Sequence, residues 1–379
     1  MIKKIGLILG PLSFIFLNSL SLENIDEKAS VVIALAAWMI IWWISEAVSI
    51  SVTSLLPLVI FPLFQVMEIN QVGANYGSSI VFLFFGGFVL ALALEKVNLH
   101  KRIALTIINK TGTSPNRVIL GFMIATAFMS MWISNTASTV VMLPIALSVI
   151  NLLIDNKKGG AKSEKNFSLS VMLGIAFSAN SGGIATVIGT PPNSVLIGLL
   201  ENEYNIEISF LNWMVIGLPF SMILLAIIYL LLTRVLFRNE NIKFKSSSQL
   251  ISNKLNELGK LSKKEMHVLI IFGITVFLWI FRTLINKLIP GFKLSDTIIS
   301  VGCAISLFAI PSKFSKPQFI LNWNDTKNLA WGILILFGGG LALAKGMSET
   351  GIVSLITDSI AGANLNIIIT VSLLITMML

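Results

Sequence analysis

The sequence predicts an all-α polytopic membrane protein, because of its composition, its long apolar runs and two polar interruptions within those runs. Hydrophobic residues make up 55% of the 379 residues and charged residues 12%, whereas roughly a quarter of the residues in a soluble domain are charged. The mean hydropathy is +0.88. A chain this apolar has lipid as its main solvent.

Nine apolar runs approach or reach the length of a membrane-spanning helix, which needs about 17 to 25 residues. They lie at 5 to 20, 30 to 45, 48 to 66, 77 to 96, 168 to 200, 211 to 234, 265 to 285, 295 to 311 and 329 to 347. The first run follows a basic start, but no small-residue cleavage pattern comes after it. We therefore interpret it as a retained span rather than a signal peptide.

The positive charges predict the orientation of these spans. With a cytoplasmic N-terminus, most of the 27 Lys and Arg residues fall in cytoplasmic loops, including the long linker at 234 to 264, as is typical of that side. The net charge of +9 is therefore topological, and we expect no nucleic-acid partner. The segment 98 to 110 is predicted to be an amphipathic cytoplasmic arm with His100 at the membrane interface.

The segment 112 to 156 is too long for one span. No charged residue lies between Arg117 and Asp155, and the polar stretch "SNTAST" lies near the midpoint. A single helix of the uncharged residues 118 to 154 would be about 55 Å long, nearly twice the roughly 30 Å thickness of the hydrocarbon core. We predict a re-entrant hairpin that enters from the cytoplasm, with its tip buried in protein or lining a watery cavity. The alternatives are two short complete spans, with Trp132 as an interface anchor, or one helix whose hydroxyl groups bond back to its own carbonyls.

A second interruption lies within the predicted span at 168 to 200. Pro191 and Pro192 remove two backbone donors and bias Thr190 away from helical angles, so we predict that the helix breaks near "GTPPN". A break in lipid exposes backbone groups that need partners, and ions and substrates are the partners that transporters use. A proline kink healed by neighbouring helices is the alternative.

The chain also contains an internal repeat. "FLFFGGFVLALALEK" at 82 to 96 resembles "LILFGGGLALAKG" at 334 to 346, with Phe-Gly-Gly triplets that start 252 residues apart at Phe85 and Phe337. The predicted orientation runs the two copies in opposite directions, as an inverted-topology repeat requires. The repeat predicts a second polar tip near position 386, so we expect the natural chain to continue for about 80 to 100 residues past Leu379.

Four stretches of the sequence resemble the divalent anion:sodium symporters, a family that carries dicarboxylates, citrate or sulfate. They are "ISEAVSISVTSLLPLVIFPLF", "FFGGFVLALALEKVNLHKRIAL", "SNTAST" and "GTPPN". The resemblance covers essentially the whole chain, but the family's second Ser-Asn-Thr hairpin and second broken helix are missing from it. It implies a transporter rather than an enzyme.

The resemblance also implies which residues form the site. A sodium ion would be held by Ser130, Ser134, Asn135 and the carbonyl of Gly189. The dicarboxylate would be held by Asn135, Thr136, Thr190 and Pro191. The chemistry suits these residues, since hard cations prefer oxygen ligands. Ser130 and Ser134 are four residues apart and are predicted to share one helical face. No cofactor is expected besides sodium as the coupling ion.

For the architecture, the resemblance implies an inverted-repeat transporter with a re-entrant hairpin, broken helices, an elevator-type motion and a homodimer. Residues 1–111 are predicted to hold scaffold spans one to four and the cytoplasmic arm. Residues 112–237 would form part of the transport domain, with the hairpin, the broken span five and span six. Residues 238–379 would hold the cytoplasmic linker, scaffold spans seven to nine and the start of a second hairpin. The expected location is the bacterial inner membrane.

The predicted function is sodium-coupled symport of a divalent anion such as succinate, malate, fumarate or citrate. The alternative is a sodium-independent dicarboxylate exchanger, or a transporter of sulfate, phosphate or tartrate. A membrane enzyme is disfavoured because no intramembrane cluster of His or carboxylate residues is visible. A channel is disfavoured because the polarity is concentrated at two breaks rather than along a continuous pore.

Overall fold

A computed structural model describes residues 2–20, 25–112, 114–155, 161–237, 247–289, 291, 293–312 and 318–362. The helices are α1 (Ile2–Ser19), α2 (Glu27–Ser45), α3 (Ile50–Thr53), α4 (Leu56–Leu63), α5 (Ile69–Tyr76), α6 (Ser79–Lys96), α7 (Leu99–Thr111), α8 (Pro115–Ser130), α9 (Asn135–Asp155), α10 (Ala161–Ile184), α11 (Pro191–Tyr204), α12 (Phe210–Leu230), α13 (Ser247–Glu257), α14 (Lys263–Leu288), α15 (Asp296–Ala309), α16 (Trp331–Glu349) and α17 (Ile352–Gly362). A π-helical stretch (Leu231–Leu236) extends α12, and a 3-10 helix (Trp323–Asn328) precedes α16.

Seven helical stretches of the described residues are long and apolar enough to cross a bilayer. They are Ile2–Ser19, Glu27–Ser45, Ile69–Lys96, Ser163–Ile184, Phe210–Leu236, Lys263–Leu288 and Trp331–Glu349. The predicted spans at 48 to 66 and 295 to 311 correspond to the shorter apolar stretches Ile50–Leu63 and Asp296–Ala309. The predicted all-α polytopic class is confirmed, and the chain is an integral membrane protein.

The predicted third span is not one continuous helix, which corrects the sequence prediction. The helix α3 ends at Thr53, and α4 begins at Leu56. Pro57 lies in the first turn of α4 and has no amide hydrogen to donate to the carbonyl of Thr53. The hydroxyl of Ser54 donates back to the carbonyl of Ile50 at 2.8 Å. This local bond competes with continuation of the helix and helps to end α3.

The chain forms two compact units. The first consists of Met1–Val81, Gly198–Ile206 and Trp331–Leu379. Its core combines side chains of α1, α2, α4, α5 and α16, with Leu35 and Met39 of α2 completely buried. Most of the buried residues of α2 lie in its first half, from Ala29 to Leu35.

The second unit consists of Phe82–Ile197 and Glu207–Ala330. Its largest core joins α7, α8, α9 and α10 around Phe122, Met142 and Phe167. Both polar interruptions lie in this unit. The domain boundaries after residues 111 and 237 stay a prediction.

The internal repeat extends to the bounds of the helices. A shift of 252 residues moves the bounds of α6 (Ser79–Lys96) to 331 and 348, and α16 runs from Trp331 to Glu349. The first glycine of each triplet allows a close approach within its own unit. A Cβ on Gly86 would lie 2.5 Å from the carbonyl of Ser300, and a Cβ on Gly338 would lie 2.5 Å from Cγ of Tyr76. The triplets therefore mark equivalent, tightly packed positions in the two copies.

The predicted arm forms α7, but His100 does not lie at the membrane interface. Its side chain is 5% exposed, and its Nδ1 donates a hydrogen bond to the carbonyl of Leu94 at 3.0 Å. The buried face of α7 also carries Ala104 and Ile108. The interface prediction for His100 is wrong because the apolar face of this helix packs on protein.

Candidate functional site

The hairpin tip lies between two separate helices. The helix α8 ends at Ser130 and α9 begins at Asn135, so a single continuous helix is excluded. With 16 residues, α8 is about 24 Å long, which is shorter than the roughly 30 Å hydrocarbon core. The helix α9, with 21 residues, is about 32 Å long, so only the α8 arm is short for a complete span, and the re-entrant hairpin stays a prediction.

Backbone and side-chain groups of the tip explain why the chain turns there. The amides of Trp132 and Ile133 both donate to the carbonyl of Met129 at 3.0 Å, which closes α8. The hydroxyl of Ser134 then accepts a hydrogen bond from the amide of Ala137 at 3.2 Å. Serine is a favoured residue for this capping role, so the polar tip starts α9.

The prediction that Ser130 and Ser134 share one helical face is wrong. Ser130 is the last residue of α8, and Ser134 caps α9 from the turn. Ser130 is completely buried, and its hydroxyl donates to Oδ1 of Asn135 at 2.6 Å. The structure still brings Ser130 and Asn135 together, but across the turn rather than along one helix.

The predicted break near "GTPPN" is confirmed. The helix α10 ends at Ile184, and α11 begins at Pro191, where proline is favoured because its missing amide hydrogen has no helical partner. The hydroxyl of Thr186, in the loop between them, donates to the carbonyl of Met131 at 2.5 Å. This bond fastens the loop to the hairpin tip, so the two interruptions meet in space.

Side chains satisfy most carbonyl groups that the break frees. Nδ2 of Asn193 donates to the carbonyls of Gly183 and Thr186, each at 2.8 Å. The hydroxyl of Ser194 donates to the carbonyl of Val187 at 2.7 Å. Sequence reasoning assigned no role to Asn193, although its position directly after the two prolines was a signal. The break is therefore a loop at 185 to 190 rather than a proline kink within one helix, and Trp213 of α12 also donates to the carbonyl of Ile184 at 2.9 Å.

The carbonyl of Gly189 is among those in the described loop that receive no hydrogen bond. Gly189 is buried, and within the described part of the chain no hydrogen-bond donor meets its carbonyl oxygen. A buried carbonyl without a partner is costly, and a cation is one partner that removes this cost. The structure thus leaves free the backbone oxygen that the resemblance implied for sodium.

Gly183 leaves space between the two interruptions. A Cβ on Gly183 would lie 2.5 Å from Oδ1 of Asn135 and 3.3 Å from the carbonyl oxygen of Gly189. Two oxygen atoms therefore converge on a point where this chain has no side chain. Such an arrangement of uncharged oxygens fits a hard cation, and the sequence analysis did not single out Gly183.

The side chain of Asn135 connects three elements. Its Oδ1 accepts from Ser130, and its Nδ2 donates to Oδ1 of Asn180 at 3.1 Å. Asn180 lies on α10 and is exposed. The amide of Asn135 is thus oriented with its oxygen toward the side of Ser130 and Gly183 and its nitrogen toward Asn180.

The predicted substrate residues lie at the two helix starts. Thr136 is exposed in the first turn of α9, while Thr190 and Pro191 are partly exposed at the start of α11. Among the described residues, the backbone amides of Asn135 and Thr136 have no acceptor, so α9 presents free donors that favour an anion. The start of α11 presents fewer donors because Pro191 and Pro192 have no amide hydrogen.

Aromatic side chains pack against Trp132 in the hairpin tip. Trp132 is 8% exposed and makes an edge contact with Phe272 of α14 at 4.9 Å and a stacked contact with Phe210 of α12 at 6.2 Å. This burial argues against the alternative in which Trp132 anchors a complete span at the interface. No group of three or more His, Cys, Asp or Glu residues lies close enough to bind a metal within the described ranges.

The comparisons with known proteins give one consistent result. Residues 8–379 match the family model described as the sodium:sulfate symporter transmembrane region. The sodium-dependent dicarboxylate transporter SdcS of Staphylococcus saprophyticus is 43% identical over 355 residues, which cover 92% of this chain and 68% of that protein. The protein of the same name from Staphylococcus aureus (strain USA300) is 42% identical over 367 residues, which cover 96% of this chain and 71% of that protein.

The matched region includes the hairpin tip between α8 and α9 and the break between α10 and α11. The geometry of these segments and the similarity along the chain agree: the chain belongs to the sodium:sulfate symporter family.

Proposed function

We propose that this protein is a sodium-coupled symporter of a divalent anion, with a C4-dicarboxylate or citrate as its substrate class. It is a transporter and not an enzyme. The observation that carries the proposal is the convergence of the free Gly189 carbonyl and Oδ1 of Asn135 on the space left by Gly183. It occurs in a chain that is 43% identical to a protein named as a sodium-dependent dicarboxylate transporter.

The proposed sodium ligands are Ser130, Ser134, Asn135 and the carbonyl of Gly189. In the structure the Ser130 hydroxyl donates to Oδ1 of Asn135 at 2.6 Å. Rotation of the hydroxyl hydrogen leaves two neighbouring oxygens whose lone pairs face the cation. The hydroxyl oxygen of Ser134 accepts one hydrogen bond from Ala137 and retains a second lone pair. All four ligands are uncharged, so they bind sodium without holding it as strongly as carboxylates would.

The proposed substrate ligands are Asn135, Thr136, Thr190 and Pro191. A substrate carboxylate near Thr136 would meet the free amides of the first turn of α9, where the helix dipole also favours a negative charge. Thr190 offers a hydroxyl group, and Pro191 offers an apolar wall that shapes the pocket.

Charge balance gives a physical reason for coupling. Neither "SNTAST" nor "GTPPN" contains a Lys or Arg residue. An anion that enters an uncharged pocket within the membrane pays a large desolvation cost. A sodium ion that shares Asn135 with the substrate lowers that cost, so substrate binding becomes favourable only after sodium has bound.

The wider mechanism belongs to the same proposal. The hairpin, the broken helix and α12 would move as a transport domain by an elevator-type motion against the other spans, within a homodimer. The protein would lie in the bacterial inner membrane with its N-terminus in the cytoplasm, as the distribution of Lys and Arg residues favours.

Uptake into proteoliposomes tests this function. The purified protein is reconstituted, and radiolabelled succinate uptake is measured with an inward sodium gradient, with a potassium gradient of equal size and without a gradient. We expect concentrative uptake with sodium only, and competition by malate and fumarate. Protein-free liposomes control for leakage.

The same experiment separates the alternatives. Uptake that needs internal dicarboxylate and is equal in sodium and potassium would indicate an exchanger. Competition by sulfate, phosphate or tartrate but not by malate would indicate a transporter of those anions. Either result would contradict the proposed function.

A further inference from the structure

Asn180 is a polar residue that neither motif of the sequence contains. It lies on α10 within the candidate span Ser163–Ile184, and its neighbours Ala179 and Ser181 are each 1% exposed. Asn180 itself is exposed on the same side as Ala176 and Phe177. It is therefore an amide on an otherwise apolar stripe of a membrane helix.

The hydrogen bonds of Asn180 are only half satisfied. Its Oδ1 accepts from Nδ2 of Asn135 at 3.1 Å. No acceptor for its own Nδ2 is present among the residues that the structure describes. An amide with unpaired donors costs several kcal/mol in hydrocarbon, so this nitrogen needs an acceptor in the membrane, and a substrate carboxylate is one.

The two amides present their donors together. Asn135 uses one hydrogen of Nδ2 for Asn180 and keeps the other, while Asn180 keeps both. These amides lie beside the first turn of α9, whose backbone donors at Asn135 and Thr136 are also free. A carboxylate group has two oxygens that accept such donors, and hydrogen bonds to a charged acceptor are stronger than neutral ones.

We infer that Asn180 contacts the substrate: its Nδ2 donates to a carboxylate of the dicarboxylate, while its Oδ1 holds the amide of Asn135 in position. The inference rests on the proposed function, because it concerns the same site. It adds a residue of α10 to a substrate site that otherwise lies on the hairpin tip and at the start of α11. Asn180 thereby connects the substrate to the residue that is shared with sodium.

Two other roles for Asn180 make different predictions. A sodium ligand would use its oxygen, which keeps a second lone pair besides the hydrogen bond from Asn135, so a substitution would then change the sodium requirement more than the KM for succinate. A residue that only positions Asn135 would need the acceptor oxygen alone. Asn180→Asp separates these roles, since it keeps the acceptor, removes the donors and adds a negative charge beside the substrate carboxylate.

The test measures succinate uptake by the reconstituted protein in sodium, as the wild type, Asn180→Asp, Asn180→Ser and Asn212→Asp. Asn212 is an exposed asparagine on α12 in the same unit and is the matched control. We expect Asn180→Asp to raise the KM for succinate about tenfold or more, as the loss of a charge-assisted hydrogen bond implies. The sodium concentration for half-maximal uptake should change less than about threefold, and Asn212→Asp should behave as the wild type.

Each outcome decides the inference. Size-exclusion profiles and thermal midpoints in detergent show whether the variants fold. If Asn180→Asp does not fold, Asn180→Ser, which keeps an oxygen but no amide, should show the same rise in KM. A folded Asn180→Asp or Asn180→Ser with the wild-type KM would overturn the role of Asn180 and leave the proposed function intact. A wild-type protein without sodium-dependent succinate uptake would contradict the proposed function, and with it this inference.

Discussion

At the scale of single residues, the proposed sodium site depends on the absence of a side chain at Gly183. Gly183→Ala would place a methyl group 2.5 Å from Oδ1 of Asn135 and 3.3 Å from the Gly189 carbonyl, so Asn135 would have to move. We expect the sodium concentration for half-maximal uptake to rise about tenfold or more, as the loss of one or two cation ligands implies. Sodium titration of succinate uptake in proteoliposomes measures this.

Gly273→Ala is the matched control for this change. Gly273 lies on α14, and a Cβ there would meet no atom within 4 Å. Alanine also favours the helix relative to glycine, so sodium dependence should stay as in the wild type. An unchanged sodium requirement in Gly183→Ala would show that the space beside Gly183 does not hold the cation.

Asn135 is the residue at which sodium and substrate binding are predicted to meet. Asn135→Ala removes an oxygen from the cation and donors from the anion, and each lost contact costs about 1 to 3 kcal/mol. Uptake at fixed concentrations should fall by about tens of times. Asn135→Asp keeps an oxygen but adds a negative charge beside the substrate carboxylate, so sodium binding should persist while dicarboxylate uptake fails.

Ser130→Ala completes this series, since it removes only a proposed sodium ligand. It should chiefly raise the sodium requirement and leave the KM for succinate at saturating sodium nearly unchanged. Initial rates over a grid of sodium and succinate concentrations separate these effects. Normal sodium dependence and normal uptake in folded Asn135→Ala would refute the assignment of the site.

Sequence patterns predicted some of these residues and missed others for physical reasons. Asn135 and Gly189 lie in local motifs, where a polar tip and a proline pair are visible in the chain itself. Asn180 and Gly183 act through Asn135, which is far away in sequence, and a contact between two helices leaves no local pattern; Asn193 acts through the carbonyls of the loop before it. Of these three residues, only Asn193 had a local signal, because it directly follows the two prolines.

At the scale of elements, the lengths of the apolar runs predicted most spans, but local chemistry set their ends. Hydropathy averaged over 48 to 66 hides Pro57 and the back-bonding hydroxyl of Ser54, which together divide that run into two helices. The four-residue spacing of Ser130 and Ser134 predicted one shared face, but α8 ends at Ser130 and the hydroxyl of Ser134 caps α9.

The helix α7 allows a test of pH dependence at this scale. Burial lowers the pKa of His100, the hydrogen bond to the carbonyl of Leu94 opposes that shift, and the charge of Lys101 adds to it. The folded protein therefore binds a proton at His100 less readily than the unfolded chain, in which the pKa is about 6.5. The contribution to stability is complete above pH 6.5 and decreases as the pH falls toward the lowered folded value.

The measurement is the thermal midpoint in detergent at pH 7.5 and at pH 5.5. The wild-type midpoint should fall over this interval, and His100→Gln should fall less, because its amide still donates to Leu94 but does not titrate. An equal fall in His100→Gln would show that other groups cause the pH dependence.

At the scale of the whole molecule, the internal repeat predicted equivalent helices, and the charges predicted the orientation of the spans. The helix bounds test the first of these predictions. The equivalence of α6 and α16 after a shift of 252 residues supports the repeat, since a chance match of one triplet would not reproduce both ends of a helix. The distribution of the Lys and Arg residues predicts the direction in which each span crosses the membrane.

Labelling with membrane-impermeant thiol reagents tests orientation and the hairpin together. In a Cys303→Ser background, single cysteines replace Ser114 and Lys165, which flank the hairpin, Thr136 at its tip and Lys28 in the first turn of α2, all four exposed. If the hairpin enters from the cytoplasm, Ser114→Cys and Lys165→Cys should be labelled only from the inner side, and Lys28→Cys only from the outer side. Thr136→Cys should be labelled slowly, because the tip of a re-entrant hairpin lies within the membrane. Sodium with succinate should protect it further. If Thr136→Cys is labelled only from outside, as fast as Lys28→Cys, then α8 and α9 are two complete spans and the re-entrant hairpin is wrong.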